Sequence, residues 1–229
     1  KHLEKGLPSL VLVPSQLLLE QWAKELREEV PAAALMLAGG GNDGWKKPGR
    51  LQSMTDPDTS LGARIVLSTM QTASSPGFLS MVKGGEHLMM VADEVHQSGS
   101  ARNSNVYNLV SGPRLGLSAT PKRYGDPDGT AKMFQYFGDV VPPPITLNDA
   151  INAGRLVPYE YFPHAVNLSA SEAEEWSDIT RAIRQEIAKQ PTDANGKKAV
   201  SDRAKMLLIR RSRIAKKAQA KIALASTVL

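Results

Sequence analysis

Val91-Ala92-Asp93-Glu94-Val95-His96 is the stretch on which the reading of this chain turns. The apolar run at residues 87–92 reads as a buried strand, and it ends directly on two adjacent carboxylates followed by an imidazole. Similar apolar runs lie at residues 9–13, 34–38, 64–67 and 114–117. They are continuously apolar rather than alternating, the pattern of strands covered on both faces and hence of a parallel sheet. Residues 16–29, between the first two runs, read as an amphipathic helix. Leu18, Trp22 and Leu26 recur every four residues there, with Glu20, Lys24, Arg27 and Glu28 between them. This alternation predicts an α/β fold, a parallel sheet with helices on both faces. Such sheets gather their ligand sites at the carboxyl ends of the strands. The polar motifs of this sequence stand at those ends: Pro14-Ser15, Ser68-Thr69, Asp93-Glu94 and Ser118-Ala119-Thr120.

The residue types at the strand ends fit phosphoryl transfer. Asp93, placed directly after a strand, can hold Mg²⁺ through water, and Glu94 can orient and deprotonate an attacking water. His96 stands where it can sense the nucleotide state and pass it on. Ser118 and Thr120 carry small hydroxyls that can hydrogen-bond to the neighbouring strand's carboxylate or imidazole. Taken singly, these residues also read as a surface acid pair, a solvated histidine and a Ser/Thr turn before Pro121. The spacing of the two motifs, about one strand–helix unit, favours the chemical reading.

Composition sets the outer bounds. The chain has 229 residues, enough for one domain and part of a second, and 41% are hydrophobic, as in a globular protein. There is no cysteine, which excludes a disulfide framework and cysteine-ligated zinc, and the expected location is cytoplasmic. No apolar run approaches the roughly 20 residues of a membrane-spanning helix, so no membrane partner is expected. The net charge of +5 is unevenly spread. Residues 197–221 hold ten Lys or Arg against one acid, Asp202, so the rest of the chain is net negative. The basic pI belongs to this tail and says little about the main domain. The tail reads either as a phosphate-contacting surface or as a solvated helix face.

At this point the motifs resemble a known family. Asp93-Glu94-Val95-His96 and Ser118-Ala119-Thr120 are similar to motifs II and III of superfamily 2 helicases. Val13-Pro14-Ser15-Gln16-Leu17, with Gln21-Trp22 on the following helix, resembles motif Ia. Ile65-Val66-Leu67-Ser68-Thr69-Met70-Gln71-Thr72 resembles the next nucleic-acid-contacting motif. The nearest branch is that of XPB-like helicases and restriction-enzyme motor subunits. Ala150-Ile151 and Gly154-Arg155-Leu156-Val157-Pro158-Tyr159 resemble its crossover between two motor domains. The resemblance implies a RecA-like fold and a DEVH box that hydrolyses ATP with Mg²⁺. It implies a motor that moves on nucleic acid, with DNA favoured over RNA. Pro14, Ser15, Leu17, Ser68, Thr69 and Gln71 would then lie along the phosphate backbone. Residues 1–144 would form most of the first motor domain, and residues 145–229 the crossover and the start of the second.

The departures from the family carry equal weight. Such motors need a phosphate-binding loop, G-x-x-x-x-G-K-[ST], upstream of motif Ia, and none precedes Pro14. Gly39 and Gly44 have the right separation, but Trp45 stands where the lysine must be and the stretch follows motif Ia. Residues 39–47 therefore read as a flexible loop, within a loop-like stretch at residues 39–60 that is rich in Gly, Asp and Pro. The expectation is an isolated chain that is inactive without its phosphate loop and the rest of its second motor domain. The competing reading is a non-catalytic nucleic-acid-binding scaffold. Arg210, Arg211 and Arg213 do not read as arginine fingers, because they lie on a connecting helix. Trp22 and Trp176 read as packing residues. Residues 101–110 read as a short helix, 156–168 as extended, 169–189 as a capped helix, 191–196 as a loop and 200–229 as one long basic helix. The apolar stripe of that last helix is Leu207, Ile214, Ala218, Ile222, Ala225 and Leu229.

Overall fold

The computed structural model describes residues 1–192, 198 and 200–228. They fall into two compact units, Lys1–Pro144 and Ile145–Leu229.

The first unit is built on five parallel strands. They are β1 (Pro8–Val13), β2 (Ala34–Ala38), β3 (Arg64–Thr69), β4 (Met89–Ala92) and β5 (Arg114–Gly116). Their order across the sheet is β2-β3-β1-β4-β5. Every neighbouring pair is parallel, with Leu12 opposite Ser68 on one side and Ala92 on the other.

Side chains alternate between the two faces, and both faces are apolar. Leu10, Leu12, Val66, Met90 and Ala92 feed one core. Val11, Val13, Ile65 and Leu67 feed the other. Helix α1 (Gln16–Glu29) covers the second core with Leu19 and Ala23, joined by the partly buried Leu18, Trp22 and Leu26. The first core is closed by short elements: α2 (Arg50–Met54), α3 (Met70–Ala73), α4 (Pro76–Leu79) and the longer α5 (Pro127–Phe137). The sheet is the α/β arrangement that the apolar runs predict. Its β5 edge is uncovered, with Leu115 41% and Leu117 37% exposed.

Residues 39–60 correct the loop expectation. They hold a 3-10 turn, Gly44–Lys46, and then α2. Trp45 is only 6% exposed and meets the Phe78 ring edge-on at 5.2 Å, and Leu51 is fully buried. One large aromatic and one leucine, spaced to reach the uncovered sheet face, outweigh the local Gly and Pro signals. Residues 101–110, expected as a short helix, hold one of 3-10 type at Asn103–Asn108. Their polar side chains bond locally, Asn103 Nδ2 to the Gln97 carbonyl at 3.1 Å. That competes with α-helical hydrogen bonding.

The second unit is helical. Helices α6 (Leu147–Asn152) and α7 (Ala170–Ala188) each begin with a reciprocal capping box, Thr146 with Asp149 and Ser169 with Glu172. Helix α8 (Asp202–Lys216), capped by Ser201, packs along α7. Ile179, Ile183 and Ala204 are buried, the Arg211 guanidinium lies 5.0 Å from the Trp176 ring, and Arg210 pairs with Glu175 at 2.7 Å. The expected single helix breaks at residues 217–219, and α9 (Ala220–Val228) follows. At the break the Gln219 N–H donates to Glu172 Oε1 at 3.0 Å rather than to a helical carbonyl. The apolar stripe therefore does not continue as one buried face: Ala218 is buried, but Ile222 is 71% exposed. Residues 156–168 pair into no strand among the described residues. Leu229 of the stripe, and residues 193–196 of the expected loop, lie outside the described residues.

Candidate functional site

The acid pair is held between two strands. Beyond the end of β4, the Asp93 N–H donates to the Leu12 carbonyl at 2.9 Å and the Val95 N–H to the Leu117 carbonyl at 2.9 Å. Val95 is buried beneath the turn. Pinned on both sides, the chain reverses at Glu94, whose φ of 47° is the one positive value at a non-glycine residue among those described. A left-handed conformation costs a side-chain-bearing residue roughly 1–2 kcal/mol. Here it is imposed by the ladder bonds before and after it, and strain of this kind clusters at working sites. The Glu94 side chain is left partly exposed, at the carboxyl edge of the sheet.

His96 meets Glu94 directly, and Ser118 is linked to it through His96. His96 Nδ1 lies 3.3 Å from Glu94 Oε2 and 3.0 Å from Ser118 Oγ. His96 Nδ1 shares a hydrogen bond with Ser118 in which the ring tautomer sets the donor, and it pairs with the Glu94 carboxylate when the ring is protonated. Ser118 Oγ also accepts the Thr120 N–H at 3.1 Å. Ala119 and Thr120 are both exposed, and Thr120 makes this link through its backbone N–H. One chain of contacts thus joins the end of β4 to the segment after β5.

Asp93 is half-buried with both oxygens engaged. Oδ1 accepts the Glu94 N–H at 2.9 Å and Oδ2 accepts the Trp22 indole N–H at 2.9 Å. The helical spacing of α1 places Trp22 in the core, and its ring does pack there. The hydrogen bond to Asp93 has no signature in the sequence. A second residue escaped the sequence reading: Arg123 reaches back to donate to the His96 carbonyl, and its Nε donates to Asp126 Oδ2 at 2.8 Å. The Gly129 N–H, followed by Arg123, holds the Asp126 carboxyl below the usual aspartate range. Its only prior signal is a basic residue shortly after the Ser-Ala-Thr stretch.

The residues expected to meet nucleic acid lie at the ends of β1 and β3. Ser15 caps α1, accepting the Leu18 N–H at 3.3 Å, and Leu17 is 74% exposed. Pro14 is half-buried at the strand exit. Thr69 caps α3 and its Oγ1 donates to Thr72 Oγ1 at 3.0 Å. Gln71 is exposed, and with its amide turned to meet donors its oxygen accepts from Arg102 at 3.1 and 3.2 Å. Ser68 is a correction. It is fully buried and its hydroxyl donates to the Thr69 carbonyl at 3.1 Å, so it shapes the turn and offers no surface. The glycine turn after β2 joins this group. A Cβ on Gly39 would stand 2.4 Å from Thr72 Oγ1, and one on Gly40 2.9 Å from Gln16 Cγ. Only glycine permits so close an approach at φ of +87° and +58°.

A parallel sheet with an acid–acid–x–His turn after one strand and Ser-Ala-Thr after the next defines a helicase-type α/β domain of superfamily 2 with a RecA-like fold. Residues 1–123, more than half of the chain, match the family described as type III restriction enzyme, res subunit, and the chain belongs to that family. No curated protein matches it. Three solved structures are similar to it. A nuclease-deletion mutant of the Type ISP restriction-modification enzyme LlaGI, in complex with a DNA substrate mimic, is 18% identical with a TM-score of 0.48 over 82% of this chain and 18% of that one. The Sulfolobus solfataricus SWI2/SNF2 ATPase core in complex with dsDNA is 17% identical, with a TM-score of 0.37 over 92% and 48%. The Pyrococcus furiosus Hef helicase domain is 15% identical, with a TM-score of 0.34 over 93% and 52%. The chain spans between 18% and 52% of the length of these solved chains. No helix among the described residues is long and apolar enough to cross a membrane.

Proposed function

We propose that this chain is the hydrolytic part of an ATP-dependent motor that moves on DNA. The observation that carries the reading is the joined set Asp93, Glu94, His96 and Ser118 at the carboxyl edge of the sheet. Glu94, strained and partly exposed, orients the attacking water and takes its proton. His96 bears on Glu94 and Ser118 together, so a change at either is passed to the other. Ser15, Leu17, Thr69 and Gln71, with the glycine turn beside them, form the face along a nucleic-acid backbone. Their backbone N–H groups and small hydroxyls suit contacts that ignore base sequence.

The residues present fit Mg²⁺. No group of three or more His, Cys, Asp or Glu side chains able to hold a metal occurs among the described residues. Mg²⁺ does not need such a cage, since it keeps several waters and takes one or two carboxylates plus substrate phosphates. Asp93 accepts one hydrogen bond at each oxygen, which leaves lone pairs free for metal-bound water. When bound, the ion would be held by Asp93 through water and would supply charge neutralisation at the phosphates.

On this reading the phosphate cradle is supplied from outside these 229 residues. Gly39–Lys47 cannot supply it, because Trp45 is buried where the lysine is needed. The uncovered edge of β5 has room for one more parallel strand, and a strand there would bring a following loop next to Asp93 and Ser118. The test is steady-state ATPase on the full-length protein, with and without DNA. Glu94→Gln is expected to cut DNA-stimulated turnover by about a hundredfold or more.

A further inference from the structure

Trp22 does more than pack. An apolar side chain at this point of α1 would fill the second core equally well. Trp22 instead aims its one polar atom at Asp93 Oδ2, 2.9 Å away across 71 residues of sequence. The other oxygen of the same carboxylate is held by the Glu94 N–H. Asp93 is therefore fixed by one donor from its own turn and one from α1, and its orientation depends on where α1 lies. The first turn of α1 carries Ser15 as its cap and the exposed Leu17. Trp22 is only seven residues from that cap, about 10 Å along a helix.

Building on the ATPase reading, we propose that Trp22 is a positioning residue that sets the Asp93 carboxylate and ties it to the helix whose first turn meets nucleic acid. A shift of α1 on nucleic-acid binding moves the indole N–H and, with it, the carboxylate that holds the metal's water shell. The coupling runs through a single hydrogen bond to a charged group, the kind whose loss is felt most.

The test uses full-length protein and the Trp22→Phe variant, which keeps an aromatic ring and removes the donor. Turnover with DNA is expected to fall about tenfold, and the Mg²⁺ concentration for half-maximal turnover to rise several-fold, with the KM for ATP little changed. A second readout needs no turnover. Protein labelled with 5-fluorotryptophan shows a ¹⁹F resonance for Trp22, identified by its loss in Trp22→Phe. That resonance is expected to move in Asp93→Ala and on adding duplex DNA. A Trp22 signal indifferent to Asp93→Ala, or one blind to DNA, overturns the proposal. So does a Trp22→Phe enzyme with normal turnover and Mg²⁺ dependence beside an inactive Glu94→Gln. If Glu94→Gln also keeps full turnover, the ATPase reading falls and takes this one with it.

Discussion

The two units reach order by different means. In Lys1–Pro144 the strands are buried on both faces, and the polar residues of interest stand where buried backbone ends. Among the described residues of Ile145–Leu229 few side chains are fully buried. Capping boxes, an Arg–Glu pair and an Arg–Trp stack hold the helices instead. The contrast teaches where geometry is precise. A carboxylate placed by ladder bonds on both sides of its turn has little freedom, whereas a surface ion pair contributes little and is screened by salt. The residues proposed for hydrolysis lie at the ends of the doubly covered strands.

The largest stability effect should come from the sheet. Leu12→Ala empties a fully buried site in β1 and is expected to cost about 2–5 kcal/mol in chemical denaturation of the first unit. Next comes the glycine turn. Gly39→Ala forces a Cβ against Thr69 and Thr72 at a φ of +87°, and should cost about 1–3 kcal/mol. It should also weaken DNA binding, measured by fluorescence anisotropy. In the helical unit the expected effect is smaller. Ser169→Ala removes the cap of α7 and should cost about 1 kcal/mol, read by helical circular dichroism on heating. If Ser169→Ala proves as damaging as Leu12→Ala, the contrast between the units is wrong.

The smallest effect is one of pH. The Ser169 N–H, then the Gln219 N–H, hold the Glu172 carboxyl below the usual glutamate range. A carboxyl whose folded value is lowered stabilises the fold above its unfolded value, near 4.3, and loses that contribution as pH falls through the folded value. Thermal midpoints of the helical unit should therefore decline as pH is lowered from about 5 towards 3. Glu172→Gln should flatten that decline.

Much of the first unit is legible in sequence because buried parallel strands are written as continuous apolar runs. The runs at residues 9–13, 34–38 and 64–67 lie within or on β1, β2 and β3 to within two residues. The polar residues at their ends follow from the same rule. Other features have no one-dimensional mark. Helical spacing places Trp22 in the core but cannot say what its indole N–H meets. The Gly, Asp and Pro content of residues 39–60 hides a buried tryptophan, because turn signals report the local chain and not the face above it. Ser68 occupies a contact motif, yet the pleat of β3 turns it inward. The break at residues 217–219 depends on Glu172, 47 residues earlier, taking the Gln219 N–H, a tertiary bond that a basic helical pattern cannot announce.

The central proposal is that Glu94, set by a strained turn between two strands, activates water for ATP hydrolysis in a DNA-stimulated motor. The most direct measurement is the ATPase rate of the full-length protein with and without DNA, for wild type and Glu94→Gln. The account predicts turnover that DNA stimulates and that Glu94→Gln abolishes, with DNA binding retained. Turnover unchanged by Glu94→Gln would contradict it, and no turnover beside intact DNA binding would leave a scaffold built on a helicase fold.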